Sequence, residues 1–532
     1  MPQTRRLLHE EITYSVAKEK QVNVLRELQY FTQRAQFFDL LKSKQSWIQA
    51  VVAHHLNLKS TDACRLADTE EWVHGSFNVC IPVTVFSWAG AKKSQPGDRV
   101  IIRFPLPYRV GEEFRPGNAD EKLRCEAGTY AWLEGTCPDI PIPRLYGFAM
   151  STGETFTRID CLPFLSSWWR CLSHHILSLF GCQVPSKYSR HQRKNDVLER
   201  NRLNDVGYLL IEYIEESRGR MLSSTWAAKK DDTKLRTNLL RDLSKIYLSL
   251  CKTPLPKIGS LLIDNDGILQ LANRPLNMTI QILENECIPT DMPRGITYER
   301  ADTFVADILT CHDNRLRHQP NAIESPVDYF YQAARLTAMR TIAPLFLSQD
   351  LRQGPFIYSL TDLHASNIFV DDDWHITSLV DLEWACSLPI EMVQLPYWIS
   401  GATAIDCVDY HEHNEVQRTF VEILAAEEDL TYSCSSNKVS STPLKLSQVM
   451  DRTWKNRMFW YHLALETPTG LWTIFDREIQ PPLIKGSGKE HGYFGPIMTY
   501  YWTRNTLSIL HGKMKDKEAY DTQLQHEFEE TT

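Results

Sequence analysis

The sequence predicts an α+β chain of two lobes, a small β-rich lobe towards the N-terminus and a large helical lobe after it. Three observations predict this. Val79 to Trp88 and Arg99 to Phe104 are rich in β-branched and aromatic residues and are separated by a Gly-, Lys-, Ser- and Pro-containing stretch from Gly90 to Asp98, the pattern of strands joined by a loop. Leu235 to Cys251, Ala301 to Cys311 and Pro326 to Phe346 read as long helices. Between and beyond them, Leu360 to Asp381 reads as a strand hairpin with acidic and amide groups at one end.

Taken in order, residues 1–65 read as a helical extension. Val22, Val24, Leu25, Leu28 and Phe31 recur near a helical period, and a second run covers Trp47 to Leu56; its expected role is to pack against the small lobe. The small lobe is expected over 66–215. In it, Gly75-Ser76-Phe77-Asn78 is a turn between strands, able to lay backbone N–H groups over phosphate. Arg103 lies on the Val100–Phe104 strand and Glu126 on the helix read from Glu121 to Glu134. A strand cation paired to a helix acid can grip nucleotide phosphates. Tyr208 to Glu215 reads as an apolar strand ending in polar residues, a hinge whose backbone from Glu212 through Tyr213 to Ile214 would meet a nucleobase edge.

An insertion at about 159–205 carries Trp168-Trp169-Arg170, the apolar run around His174 and His175, and a charged run from Lys187 to Arg202. It is too short to span a membrane. Adjacent histidines point to different sides of a helix, which argues against a metal site. The expectation is an amphipathic helix over the cleft or docked on the large lobe, in preference to a membrane-surface role. The large lobe is expected over 216–511, with a hairpin from Ile258 to Leu271. The aromatics Trp454, Phe459, Trp460, Tyr461, Trp472, Phe475, Tyr500, Tyr501 and Trp502 read as its core. Residues 512–532 read as a polar, frayed tail.

The chemistry concentrates at Leu360-Thr361-Asp362-Leu363-His364-Ala365-Ser366-Asn367, which leads through Ile368-Phe369-Val370 and a turn at 371–374 to Val380 and Asp381. Antiparallel pairing returns Asp381 to the end that holds Asp362, His364 and Asn367. One carboxylate can take a hydroxyl proton, while an amide oxygen and a second carboxylate hold magnesium against phosphate.

These residues resemble the aminoglycoside phosphotransferase/choline kinase-like family, which has the protein-kinase fold, and particularly its fungal members. Their recurrent wordings are matched at 361–371 and at Asp381-Leu382-Glu383-Trp384-Ala385. The resemblance covers about 66–510 and implies a two-lobed protein-kinase-like fold that transfers phosphate from ATP, with Mg2+, to a small-molecule hydroxyl. It implies Asp362 as catalytic base, Asn367 and Asp381 as metal ligands, and His364 and Glu383 supporting the loop or facing substrate. Gly75, Ser76, Asn78, Arg103, Glu126, Glu212 and Tyr213 would bind the nucleotide. Two departures stand out: Leu360 replaces a frequent loop-shaping histidine, and Arg103 replaces the usual lysine. They motivate the alternative of a pseudokinase acting as a nucleotide- or partner-binding scaffold.

Lys plus Arg number 58 against 66 acids, a net charge of −8, which excludes a general nucleic-acid binder. A cationic acceptor would fit Glu212, Glu215, Glu216 and Glu391 if they line the cleft. The 13 cysteines include no Cys-x-x-Cys pair and read as reduced thiols of a cytoplasmic chain. There is no signal-peptide pattern and no apolar window long enough to span a bilayer. Acceptor identity and oligomeric state are not legible.

Overall fold

The computed structural model describes residues 4–88, 93, 95–191, 206–434, 444–484 and 493–529. The later part of the charged run, from 192 to 202, lies outside them. The chain is mixed helix and sheet, with one large antiparallel sheet near its N-terminal end and helices dominating the rest.

The sheet runs in the order Cys64–Leu66, Asn78–Val85, Arg99–Pro105, Tyr208–Glu212, Leu145–Ala149, Thr155–Arg158, Tyr188–Arg190, with Val73–His74 also paired to Asn78–Val85. The Arg99–Pro105 strand is interior, paired on both sides. There Arg103 lies opposite Cys80 on one side and Leu209 on the other. Side chains alternate across a strand, and the sheet uses both faces. Val79, Ile81, Val83, Val100, Ile102, Tyr208 and Leu210 pack against the extension helices Val24–Ser43 and Gln45–His55. Leu145, Phe148, Leu209 and Ile211 pack against Leu123, Ala127 and Tyr130 of the Asn118–Thr136 helix. Each fully buried aliphatic side chain contributes about 1.5–3 kcal/mol, so register on this sheet is strongly specified.

The helical part is built on Thr233–Cys251, Ala301–His318, Pro326–Phe346, Tyr410–Cys434 and Met458–Glu466. Ser325 caps the Pro326–Phe346 helix, its hydroxyl accepting from Asp328 N–H, and Pro326 occupies the first turn, where its missing N–H has no intrahelical partner to lose. Phe459, Trp460 and Tyr461 are buried in its core. Tyr500 and Tyr501 are exposed, contrary to their reading as core. The hairpin read from Ile258 to Leu271 forms from Ser260–Ile263 and Leu269–Asn273.

Two expectations are corrected. The tail is not frayed: Thr506–Glu529 is a helix whose Tyr520, Leu524 and Phe528 are buried against Leu7, Ile12, Ala17 and Val24. The Tyr520 hydroxyl accepts from Val24 N–H at 3.0 Å. A polar composition hid a stripe at i, i+4, i+8. The insertion does form a helix, Phe164–Leu179, but none of its residues is fully buried and most of its large apolar side chains are exposed, unlike an amphipathic helix whose apolar face is docked. Among the described residues, the cysteines are free thiols and no helix is long and apolar enough to cross a membrane.

Candidate functional site

Ile368–Val370 and Ile376–Leu379 pair antiparallel, Ile368 with Leu379 and Val370 with Ile376. The turn holds because Asp371 Oδ1 accepts from the N–H groups of Asp373 and His375, at 3.0 and 2.9 Å. At the other end, Val380 N–H donates to Asn367 O at 2.9 Å. Asp362 and Asn367 therefore meet at the hairpin's end. Asn367 Nδ2 donates to Asp362 O at 2.9 Å and to Asp362 Oδ2 at 3.1 Å, which leaves its amide oxygen as the acceptor not used in this pair. Asp381 sits at φ +56°, a left-handed conformation that Asp tolerates better than most residues. Its side chain keeps 40% of its surface exposed.

Arg103 joins this end to the sheet. Its Nη1 donates to Glu126 at 2.6 Å, and its Nη2 donates to Asp381 at 2.5 Å and to Glu383 at 2.9 Å. The Arg103–Glu126 pair expected from the sequence is thus present, but the guanidinium is buried and engaged with three carboxylates at once. Glu383 is the hub: one oxygen also accepts from Lys122 Nζ at 2.9 Å and Asn78 Nδ2 at 2.8 Å. Lys122 donates in turn to Asn78 Oδ1 at 2.7 Å. Lys122, fully buried, was missed by the sequence reading. Its signal was there, since Lys122 and Glu126 are one helical turn apart and share a face.

The remaining nucleotide-site candidates separate. Gly75 and Ser76 are exposed at an open turn closed by Gly75 N–H to Asn78 O at 3.0 Å, and no atom lies within 4 Å of where a Gly75 side chain would start. Asn78 is buried inside the ion network, so its side chain does not face that turn. Glu212 directs its carboxylate to Arg144 N–H at 3.1 Å and Arg218 at 2.7 Å. Tyr213 stacks under the Arg99 guanidinium at 3.9 Å. The acids suggested for a cationic acceptor are placed elsewhere. Glu215 pairs with Arg99, Glu391 with Ser348, and Glu216 is exposed.

Beside Asp362 lies a cavity of about 240 Å³, lined by Asp362, His364, Tyr397, Trp398, His462 and Glu466 among mostly apolar side chains. His364 is exposed, with its ring 3.3 Å from the Ser366 hydroxyl. Burial, with the charges of Asp381 and Glu383 behind it, pushes the Asp362 carboxyl up to about 7. Burial likewise raises Glu466 to about 7 and lowers His462 to about 3, so that His462 is neutral. Burial also drives Asp381 upward, against the pull of Arg103.

No protein-family model matches the chain, and no curated protein matches it. Among solved structures, the chain is similar to the Plasmodium vivax ethanolamine kinase Pv091845, at 12% identity and a TM-score of 0.37, over 96% of this chain and 99% of that one. A superposition this loose defines neither fold nor activity.

Proposed function

We propose that this chain is an ATP-dependent phosphotransferase of protein-kinase-like, two-lobed fold, acting on a hydroxyl of a small molecule. The observation that supports it most is the gathering of Asp362, Asn367 and Asp381 at one hairpin end, beside a cavity with room for a small acceptor. Asp362, facing that cavity, would orient the hydroxyl and accept its proton. Its raised pKa suits a base working near neutral pH. Arg103, positioned by Glu126 and Glu383, would be the cation nearest the phosphates, and the open turn at Gly75 and Ser76 would cover them.

The donor set fits magnesium. Among the described residues no three His, Cys, Asp or Glu side chains converge as a metal cage. One half-buried carboxylate, Asp381, and one amide oxygen not used in the Asp362 pair, Asn367, are the sparse hard-oxygen set that Mg2+ takes when phosphates complete its shell. The carboxylates Asp362, Asp381, Glu383 and Glu126 outnumber the cations Arg103 and Lys122, an excess a dication would offset. When bound, the ion would neutralise charge on the transferred phosphoryl group.

Titration of the full chain with Mg-ATP is the test. Binding that needs magnesium and is lost in Asp381→Asn is expected. Asp362→Asn should retain binding and lose phosphoryl transfer to a panel of small alcohols. An active Asp362→Asn enzyme would sink the assignment. One observation favours a second reading: Arg103 is committed to Glu126, Glu383 and Asp381, so the chain could bind nucleotide as a scaffold without turnover. Mg-ATP binding with neither transfer nor hydrolysis would select that reading.

A further inference from the structure

The Phe164–Leu179 helix is mounted inside out. Its half-buried positions are Ser167, Leu172, Ser173, His174 and Leu177, while the neighbours of Leu172 on the apolar side, Phe164, Leu165, Trp168, Trp169, Ile176 and Leu179, with Phe180 just beyond, stand 43–82% exposed. On a helical wheel the exposed set falls on one continuous arc, with Ser166, Ser167, Arg170, Ser173 and His174 opposite. Water does not favour an apolar arc of this size, and a soluble chain rarely leaves one uncovered.

Charge indicates what covers it. From Cys161 to His191 the sequence contains no Asp or Glu, but does contain Arg170, Lys187 and Arg190, in a chain whose net charge is −8. All three cations are exposed. None forms an ion pair with a described carboxylate. A second copy of this segment docked about a two-fold axis would offer these cations no acid to pair with, since 161–191 holds none. An anionic bilayer attracts them instead. The adjacent Trp168 and Trp169 are the side chains that settle at the lipid–water boundary. At 16 residues the helix is too short to span the apolar layer, so it would lie in the plane of the surface.

We propose that the Phe164–Leu179 helix is an interfacial anchor that docks this protein on anionic phospholipid bilayers, with Trp168, Trp169 and the flanking basic residues making the contact.

The experiment is flotation of the full chain with phosphatidylcholine vesicles and with vesicles containing about 30% phosphatidylserine, beside Trp168→Ser/Trp169→Ser and a measurement of mass by sedimentation. Both substitutions are at exposed positions outside the candidate site, so unchanged Mg-ATP binding and thermal unfolding verify the variant's fold. The expected result is flotation with the anionic vesicles, weaker flotation with pure phosphatidylcholine or at high salt, and a loss of about tenfold or more in the variant, each buried aromatic being worth about that factor. Absence of flotation, flotation indifferent to the variant, or flotation equal on both vesicle types would overturn the proposal. So would a concentration-dependent dimer that the variant dissolves, since the arc would then belong to a second copy.

Discussion

Replacing Glu383 by Gln tests whether one carboxylate closes the sheet onto the hairpin. Its Oε2 accepts from Arg103, Lys122 and Asn78, at 2.8–2.9 Å, and the four side chains are at most 7% exposed. At 2.9 Å and an effective dielectric constant of about 20, each of the two ion pairs attracts by roughly 6 kcal/mol. Desolvation of the ions and repulsion from Glu126 offset much of this, and removing one partner of such a buried pair typically costs about 3–5 kcal/mol. The glutamine keeps the shape but leaves Lys122 with Glu126 as its nearest carboxylate, at 4.0 Å. Lys122→Met should be similarly costly, because it leaves Glu383 facing Glu126 with Arg103 alone between them. The double variant removes both charges and should lose about 2–3 kcal/mol less than the sum. Hydrogen exchange at the amides of Asn118–Thr136 and Asn78–Val85 reads the opening free energy of this region directly, without treating 532 residues as a two-state system. A coupling below about 0.5 kcal/mol would show that the network is an accident of proximity and refute the reasoning.

Other outcomes follow from single sites. Glu466 has its pKa raised from 4.5 to about 7, so the folded state holds the proton more tightly and stability is lost as pH rises from about 4.5 through 7. Glu466→Gln should abolish that loss, by about 1–2 kcal/mol once the third of the side chain reached by water is allowed for, when the unfolding profiles of the two proteins are subtracted across pH 5–8; parallel profiles would contradict it. Gly128→Ala, normally favourable inside a helix, should destabilise by about 1–3 kcal/mol, because a Cβ there would lie 2.6 Å from Leu261 O; a raised melting temperature would show that the helix and hairpin can part without cost. Leu524→Ala should cost about 2–5 kcal/mol locally, seen as faster exchange along Thr506–Glu529 and at Ile12, and unchanged exchange would mean that the terminal helix does not close on the N-terminus.

The hairpin was legible because its information is local: residue types, turn and spacing sit within twenty residues, and antiparallel pairing does the rest. The ion network was not. It depends on the register that sets Arg103 opposite Cys80 and on the phase of the Asn118–Thr136 helix, which turns Lys122 and Glu126 inward together; neither can be read from one segment. Asn78 looked like part of a phosphate turn because it follows Gly75 and Ser76, yet it begins a strand whose pleat points it into the network. Glu383 carried a weak signal, an acid between Leu382 and Trp384, where a charge must be either paired or protonated. The Thr506–Glu529 stripe was readable at 520, 524 and 528 and was masked by average polarity. The insertion's helix was legible, whereas which way its apolar arc faces is decided by the body it is mounted on.

Arg103 shows how this charge arrangement could work in a phosphotransferase. A lysine presents one point charge, whereas a guanidinium can hold several carboxylates at once in fixed directions. Here it bonds Glu126, Glu383 and Asp381 together, so the same side chain braces the sheet, the helix and the candidate metal ligand. A dication on Asp381 would compete with Arg103 Nη2 for the carboxylate, and that donor would then be free to face phosphate. Metal and nucleotide would therefore favour each other's binding, each removing a cost of the other. Mg2+ alone should bind weakly and ATP alone weakly, with affinity for the pair exceeding the product of the two. Equal ATP affinity with and without Mg2+ would show that Asp381 stays with Arg103 and that the hairpin end holds no metal.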